Sequence, residues 1–114
     1  LRKRVLTCLL KREHNMINHE TATRLLTALG DPTRQAIILL LGQRGRLNVG
    51  EITSHFRISR PAISHHLKIL KDAHVVGSEK QGQESYYWLD RDHVVQELQS
   101  LVETIANCPH DGNQ

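Results

Sequence analysis

The sequence predicts a mainly α-helical fold with one β-hairpin, and three observations carry that prediction. Apolar residues recur at helical spacing along most of the chain. One stretch, "HVVGSEKQGQESYYWL" from His74 to Leu89, changes instead to strand-favouring residues on either side of a polar, Gly-containing turn. Helix-start signals, Asn18, then Asp31 with Pro32, then Ser59 with Pro61, divide the helical part into separate segments.

From Leu1 to Arg12, Val5, Leu6, Leu9 and Leu10 form an apolar stripe flanked by Arg2, Lys3, Arg4, Lys11 and Arg12, a basic amphipathic helix. A solvated face beside a buried stripe is its plain reading, and contact with a membrane surface or a DNA backbone is the alternative. "NHETATRLLTALGD" takes Asn18 as N-cap with Glu20 in the first turn, runs an apolar stripe through Leu25, Leu26 and Leu29, and stops at Gly30. Asp31 and Pro32 restart the chain, and "TRQAIILLLGQRG" continues until Gly42 and Gly45 end it; a helix so uniformly apolar belongs at the centre. "NVGEITSHF" makes a short helix with Val49, Ile52 and Phe56 on one side. "RIS" is a turn, Ser59 caps the next helix, and that helix reaches about Ala73. Val75 and Val76 open the hairpin, Gln81 and Gly82 turn it, and Ser85, Tyr86, Tyr87, Trp88 and Leu89 return it. A final helix begins after Asp90 and stops at Pro109. No repeat, low-complexity tract or linker interrupts the pattern, so residues 1–114 read as a single domain.

A chain of 114 residues supports a core without disulfides or a structural metal. Charged residues at 24% and hydrophobic ones at 39% are ordinary globular usage, unlike a disordered chain or a membrane protein. The longest apolar run, Ala36 to Leu41, is far too short to cross a bilayer and follows no cleavable signal, so a soluble cytoplasmic protein is expected. A formal charge of +3 and a pI near 9.1 permit a polyanionic partner without requiring one. Cys8 and Cys108 form no CxxC pair and no disulfide framework, which makes a reducing compartment the simpler assumption. No Ser-His-acid order, glycine phosphate cradle or paired carboxylates mark an enzyme, "GQRGRLNVG" lacks a P-loop lysine, and no cofactor is expected.

The adjacent histidines in "RISRPAISHHLKILKDAHVV" carry the functional question. On a helical wheel Ile63, Leu67 and Leu70 share the buried side, and His66 falls at its edge. Pro61, His65, Lys68 and Asp72 point the opposite way, with Arg60 and Ser64 on a flank. Sequence neighbours diverge by about 100° on a helix, so His65 and His66 cannot share one ion, and the spacing of three or four that a helical metal pair needs is missing. His66 therefore reads as a satisfied boundary residue. His65 joins Arg60, Ser64 and Lys68, a set rich in groups that bond phosphates and base edges. Two short helices joined by a tight turn, the second with polar donors outward, make a helix-turn-helix, and the hairpin after it makes a wing. Ser59 both caps the reading helix and is placed to touch phosphate. Lys80 and Gln83 approach the backbone from the wing, where Glu79 and Glu84 limit the contribution.

"ALGDPTRQAIILLL", "NVGEIT", "ISRPAISHHLKILKDAHVV" and "KQGQESYYWL" together resemble, in the same order, the ArsR/SmtB family of bacterial winged helix-turn-helix regulators, over roughly Thr23 to Cys108. The resemblance implies a homodimer built from the first and last helices, which binds a double-stranded operator of approximate twofold symmetry and represses until an inducer lowers its affinity. The last helix points to a dimer independently: Val94, Leu98, Leu101, Ile105 and Cys108 follow an a/d seam that Val95, Val102 and Ala106 broaden, a stripe wide enough to be buried twice. Val5 and Leu9 of the first helix are expected at the same interface; complete internal packing is the alternative.

The family's inducer sites transfer poorly. Its thiolate positions in "RLNVGEI" hold Asn48 and Gly50, and the metal positions of its last helix hold Arg91, His93, Thr104 and Asn107, of which His93 alone is a ligand type. A substitute set drawn from Asp92, His93, Glu97, Cys8, His14, His19, Cys108 and His110 is the outside alternative, and no metal site is assigned. Cys108 stands where some members carry a sensing cysteine, but Leu39 occupies the usual partner segment, so Cys108 reads as a buried seam thiol. The expected function is a sequence-specific DNA-binding regulator, a dimeric repressor. The alternative from another class is a winged protein-interaction module without DNA binding, suggested by the acidic wing.

Overall fold

The computed structural model describes residues 19–109. The expected first helix with Val5 and Leu9, and Cys8, His14, Asn18 and His110, lie outside the described residues. Helix α1 (His19–Leu29) carries Glu20 in its first turn and buries Ala22, Leu25 and Ala28. Leu29 packs partly against the core, whereas Leu26, expected in the same stripe, is 49% exposed.

Asp31 caps α2 (Pro32–Arg44): its carboxylate accepts the Arg34 N–H at 3.1 Å, and Pro32 occupies the first turn, where a missing N–H costs nothing. Two expectations about α2 need correction. Gly42 does not stop it; the helix runs on to Gly45, whose φ of 85° suits glycine and whose N–H closes onto the Leu41 carbonyl at 2.8 Å. Nor is α2 central all round. Ile37 and Leu41 are buried while Leu39 is 66% exposed, because the described elements form a layer against one face only.

A two-residue strand that the sequence reading missed, β1 (Leu47–Asn48), leads into α3 (Val49–Thr53). Asn48 Oδ1 accepts the Glu51 N–H at 2.7 Å and Glu51 Oε1 accepts the Asn48 N–H at 2.9 Å, a reciprocal cap that lets so short a helix start cleanly. After the turn, Ser59 caps α4 (Arg60–Asp72) through the Ala62 N–H, with Pro61 in the first turn. Helix α4 ends in a Schellman arrangement, the His74 N–H on the Lys71 carbonyl and the Val75 N–H on the Leu70 carbonyl, both at 2.9 Å. His74 takes the left-handed φ of 61° that glycine usually fills there.

Strands β2 (Val76–Gln81) and β3 (Glu84–Leu89) form the hairpin, pairing Val76 with Leu89 and Gln81 with Glu84. Gly82, at φ 63°, takes the first central place of the two-residue turn, the glycine position of a II′ hairpin. Because β1 pairs with β3 as well, the sheet order is β1-β3-β2 with the wing's returning strand in the middle. Asp90 caps α5 (Arg91–Ala106) through the His93 N–H.

The core gathers Leu25, Ile37, Leu41, Ile52, Ile63, Leu67, Leu70 and Val75, each under 2% exposed. Each contributes about 1.5–3 kcal/mol of burial, so four helices and the base of the wing are held by one cluster. The stripe of α5 divides: Val94, Leu98 and Leu101 pack partly against this core, while Val95, Val102 and Ile105 stand 46%, 63% and 65% exposed. Cys108 is half-buried but is not a seam thiol: it is disulfide-bonded, which corrects the expectation of a chain without disulfides and removes the argument from cysteine usage for a reducing compartment. Its sulfur lies 3.0 Å from the Thr104 carbonyl, a contact without a shared proton because a disulfide sulfur has none to donate.

Candidate nucleic-acid interface

Helix α4 presents two faces with opposite chemistry. Ile63, Leu67 and Leu70 are fully buried, which fixes the rotation of the helix and turns Arg60, Ser64, His65 and Lys68 to solvent. The Ser59 hydroxyl oxygen accepts the Ala62 N–H at 3.3 Å, so its own O–H remains to donate outward. Lys68 Nζ lies 3.5 Å from Asp72 Oδ2 one turn on, an exposed pair that water and a phosphate can readily displace. The Arg60 guanidinium folds back toward α3: a Cβ on Gly50 would stand 3.7 Å from its Nη1. A glycine at that place leaves room for the arginine.

His65 and His66 diverge as the helix geometry requires, their ring centroids 6.2 Å apart and tilted by 55°. His65 is exposed, and His66 is half-buried with its Nδ1 3.2 Å from Arg34 Nη1. The boundary reading of His66 therefore gains a partner on α2 that the sequence did not name.

On the wing, Lys80 and Gln83 are both exposed, at and beside the turn. Glu79 forms an ion pair with Arg46, whose guanidinium also stacks over the rings of Trp88 and Tyr86, at 4.8 and 5.4 Å from their centroids. That pairing neutralises one of the two carboxylates that had weakened the case for a basic wing. Asp31 titrates below the usual carboxylate range, chiefly because its carboxylate accepts the Arg34 N–H.

Residues 31–78 match the model for bacterial regulatory proteins of the arsR family. Over 90 residues the chain is 38% identical to an uncharacterized HTH-type transcriptional regulator of Methanocaldococcus jannaschii, covering 79% of this chain and 100% of that protein. The chain belongs to the arsR family. This ArsR-family protein is also 49% identical over 63 residues to the transcriptional repressor SdpR of Bacillus subtilis, covering 55% of the chain and 69% of the relative. A solved homodimeric winged helix-turn-helix DNA-binding domain from Mycobacterium bovis, a possible ArsR-family regulator, superposes with a TM-score of 0.62 at 27% identity, over 77% of this chain and 80% of that one. The fold is the winged helix-turn-helix, and the chain is a transcriptional regulator rather than an interaction module that happens to share the fold.

Of the expected interface residues, Ser59, Arg60, Ser64, His65 and Lys68 lie together along the start and outer face of α4, and Lys80 and Gln83 lie together on the wing. Two cations escaped the sequence reading of this ArsR-family protein. Arg57 is exposed in the turn between α3 and α4, and a cation inside a helix-turn-helix turn could have flagged it. Arg46 lies before β1, and its link to Glu79, Tyr86 and Trp88 depends on a strand pairing that local sequence does not announce.

The positions matching the family's metal site do not gather into a donor set in the described chain. Thr104 Oγ1 bonds the Ser100 carbonyl, Asn107 Nδ2 bonds the Glu103 carbonyl, and Arg91 is exposed. His93 sets its ring 5.7 Å from that of His74, edge to face, and its Nε2 is buried without a hydrogen-bond partner among the described residues.

Proposed function

We propose that this chain represses transcription as a homodimer on a pseudo-palindromic double-stranded operator in the cytoplasm, without enzymatic activity. The observation that carries the reading is the uncovered polar face of α4, opposite three fully buried anchors. Such a face, on the second helix of a helix-turn-helix, fits the major groove. In this reading Arg60 and His65 contact base edges, Ser64 and Lys68 contact bases or phosphates, and Ser59 bonds a phosphate at the helix start. Lys80, Gln83 and Arg57 meet the backbone, with Arg46 holding Glu79 away from it.

Residues 1–114 act as one unit, in which the exposed Val95, Val102 and Ile105 of α5 meet the same face of a second copy. Leu98, Leu101 and Cys108 flank that patch, Val94 supports it from the core side, and Val5 and Leu9 of the first helix join it. A twofold pair then presents two α4 helices to successive major grooves.

Titration against a random duplex at two salt concentrations tests the DNA contact, because neutralised phosphates release counterions and affinity falls steeply with salt. Lys68→Ala should weaken every sequence alike and flatten the salt slope, by about one unit if it meets one phosphate. His65→Ala and Arg60→Ala should instead change the preference between bases. Equal losses on all sequences for the three variants would refute base readout.

A further inference from the structure

We propose that Arg34 and His66 form a latch that sets the rotation of α4, and that it closes only while the His66 imidazole is neutral; the inference rests on α4 being the DNA-reading helix. Arg34 spends its fork on two elements at once. Its Nε donates to the Ala28 carbonyl at 2.8 Å and its Nη2 to the Thr27 carbonyl at 3.0 Å, the latter shared with the Gly30 N–H at 3.2 Å, at the end of α1. Its Nη1 lies 3.2 Å from His66 Nδ1. Guanidinium has donors and no acceptor, so Nδ1 must supply the lone pair and the ring proton must sit on Nε2. The tautomer follows from the chemistry of the partner.

The apolar anchors of α4 decide which side of it faces inward, and this bond, directional and falling off steeply with misalignment, sets the remaining angle. His66 sits next to His65 in sequence, so a rotation that opens the latch moves His65 and Lys68 by the same angle on the other face. The groups facing His66 are Arg34, Asp31, whose Oδ2 is 4.0 Å from the same Nδ1, and the His65 ring. A proton added at Nδ1 turns the acceptor into a donor aimed at a guanidinium. The ring then repels Arg34 and finds its acceptor in Asp31, the N-cap of the helix that carries Arg34, so that α4 shifts along the first turn of α2.

The test uses the full chain and the best duplex it recovers by selection from a random pool, and measures the affinity ratio of that duplex to random DNA at pH 8 and pH 5.5. For the wild type the ratio should fall about tenfold in acid, the effect of one charged-donor bond. His66→Ala should show the lowered ratio at both pH values. His66→Asn, which keeps an acceptor at the Nδ1 place but cannot take the proton, should keep the high ratio at both. Arg34→Ala should behave like His66→Ala, with thermal unfolding confirming that it is folded, and nitrogen NMR of the His66 ring should show the proton on Nε2 at pH 8. A wild-type ratio near one at pH 8 would overturn the reading of α4 and the latch with it. A high wild-type ratio matched by His66→Ala, or a proton found on Nδ1 at pH 8, would overturn the latch alone.

Discussion

Gly77→Ala is a one-carbon change whose cost can be worked from the outer face of the sheet. Gly77 pairs with Trp88 across the hairpin, and a Cβ built on it would stand 2.6 to 2.7 Å from Cε2, Cζ2 and Nε1 of the indole. No real Cβ tolerates that approach, and the ring is a rigid bicycle with Arg46 stacked on it. Either Trp88 leaves its rotamer and gives up the cation stack, or β2 moves away from β3. Overpacking of this kind costs about 1–3 kcal/mol. With a Tm change of about 4–8 °C per kcal/mol for a domain of this size, the midpoint should fall on the order of 10 °C. Trp88 is the chain's only tryptophan, so its emission reports the same site and should shift to longer wavelength. Thermal unfolding followed by circular dichroism and by fluorescence gives both readings. In a Trp88→Ala background the same Gly77→Ala step should cost almost nothing, isolating the contact as the cause. An unchanged Tm and emission spectrum in the single variant would refute the reasoning.

Three further outcomes are expected. Asn48→Ala removes one half of the α3 cap and frees the other, and should destabilise the protein by about 1 kcal/mol in urea unfolding. Asp31→Ala should destabilise near neutral pH. The depressed carboxylate contributes stability above its unfolded value, near 3.9, and loses it as pH falls through the lower folded value, so wild-type and variant unfolding curves should converge in acid. Val102→Glu places a charge in the exposed patch of α5 and should shift the proposed dimer toward monomer in sedimentation while leaving the circular dichroism spectrum intact; a variant that stays dimeric would remove that patch from the interface.

Helix boundaries were legible wherever a local chemical signal set them. Asp31 with Pro32, Ser59 with Pro61 and the Gly82 turn act within a few residues of themselves, and the structure follows each of them. The two faces of α4 were legible too, since helical period alone separates Ile63, Leu67 and Leu70 from His65 and Lys68. What escaped depends on distant partners. Strand β1 is too short to show a period, and only Tyr86 and Tyr87 of β3 define it. Arg34 reads as one charge in an apolar helix until α1 and α4 arrive beside it, and Arg46 reads as a stray cation until β2 brings Glu79. Leu39 belongs to an apolar run that suggested full burial, but period cannot reveal that a helix has neighbours on one side only among the described residues.

Asn48 ends β1 opposite Tyr86 and at the same time caps α3. The front of the helix-turn-helix is therefore stitched to the middle strand of the wing by a residue with no spare torsional freedom between the two tasks. On the proposed function, a regulator built this way should meet its operator with these described segments already ordered. Its heat-capacity change on association should then scale with the surface it covers, without the extra component that accompanies coupled folding.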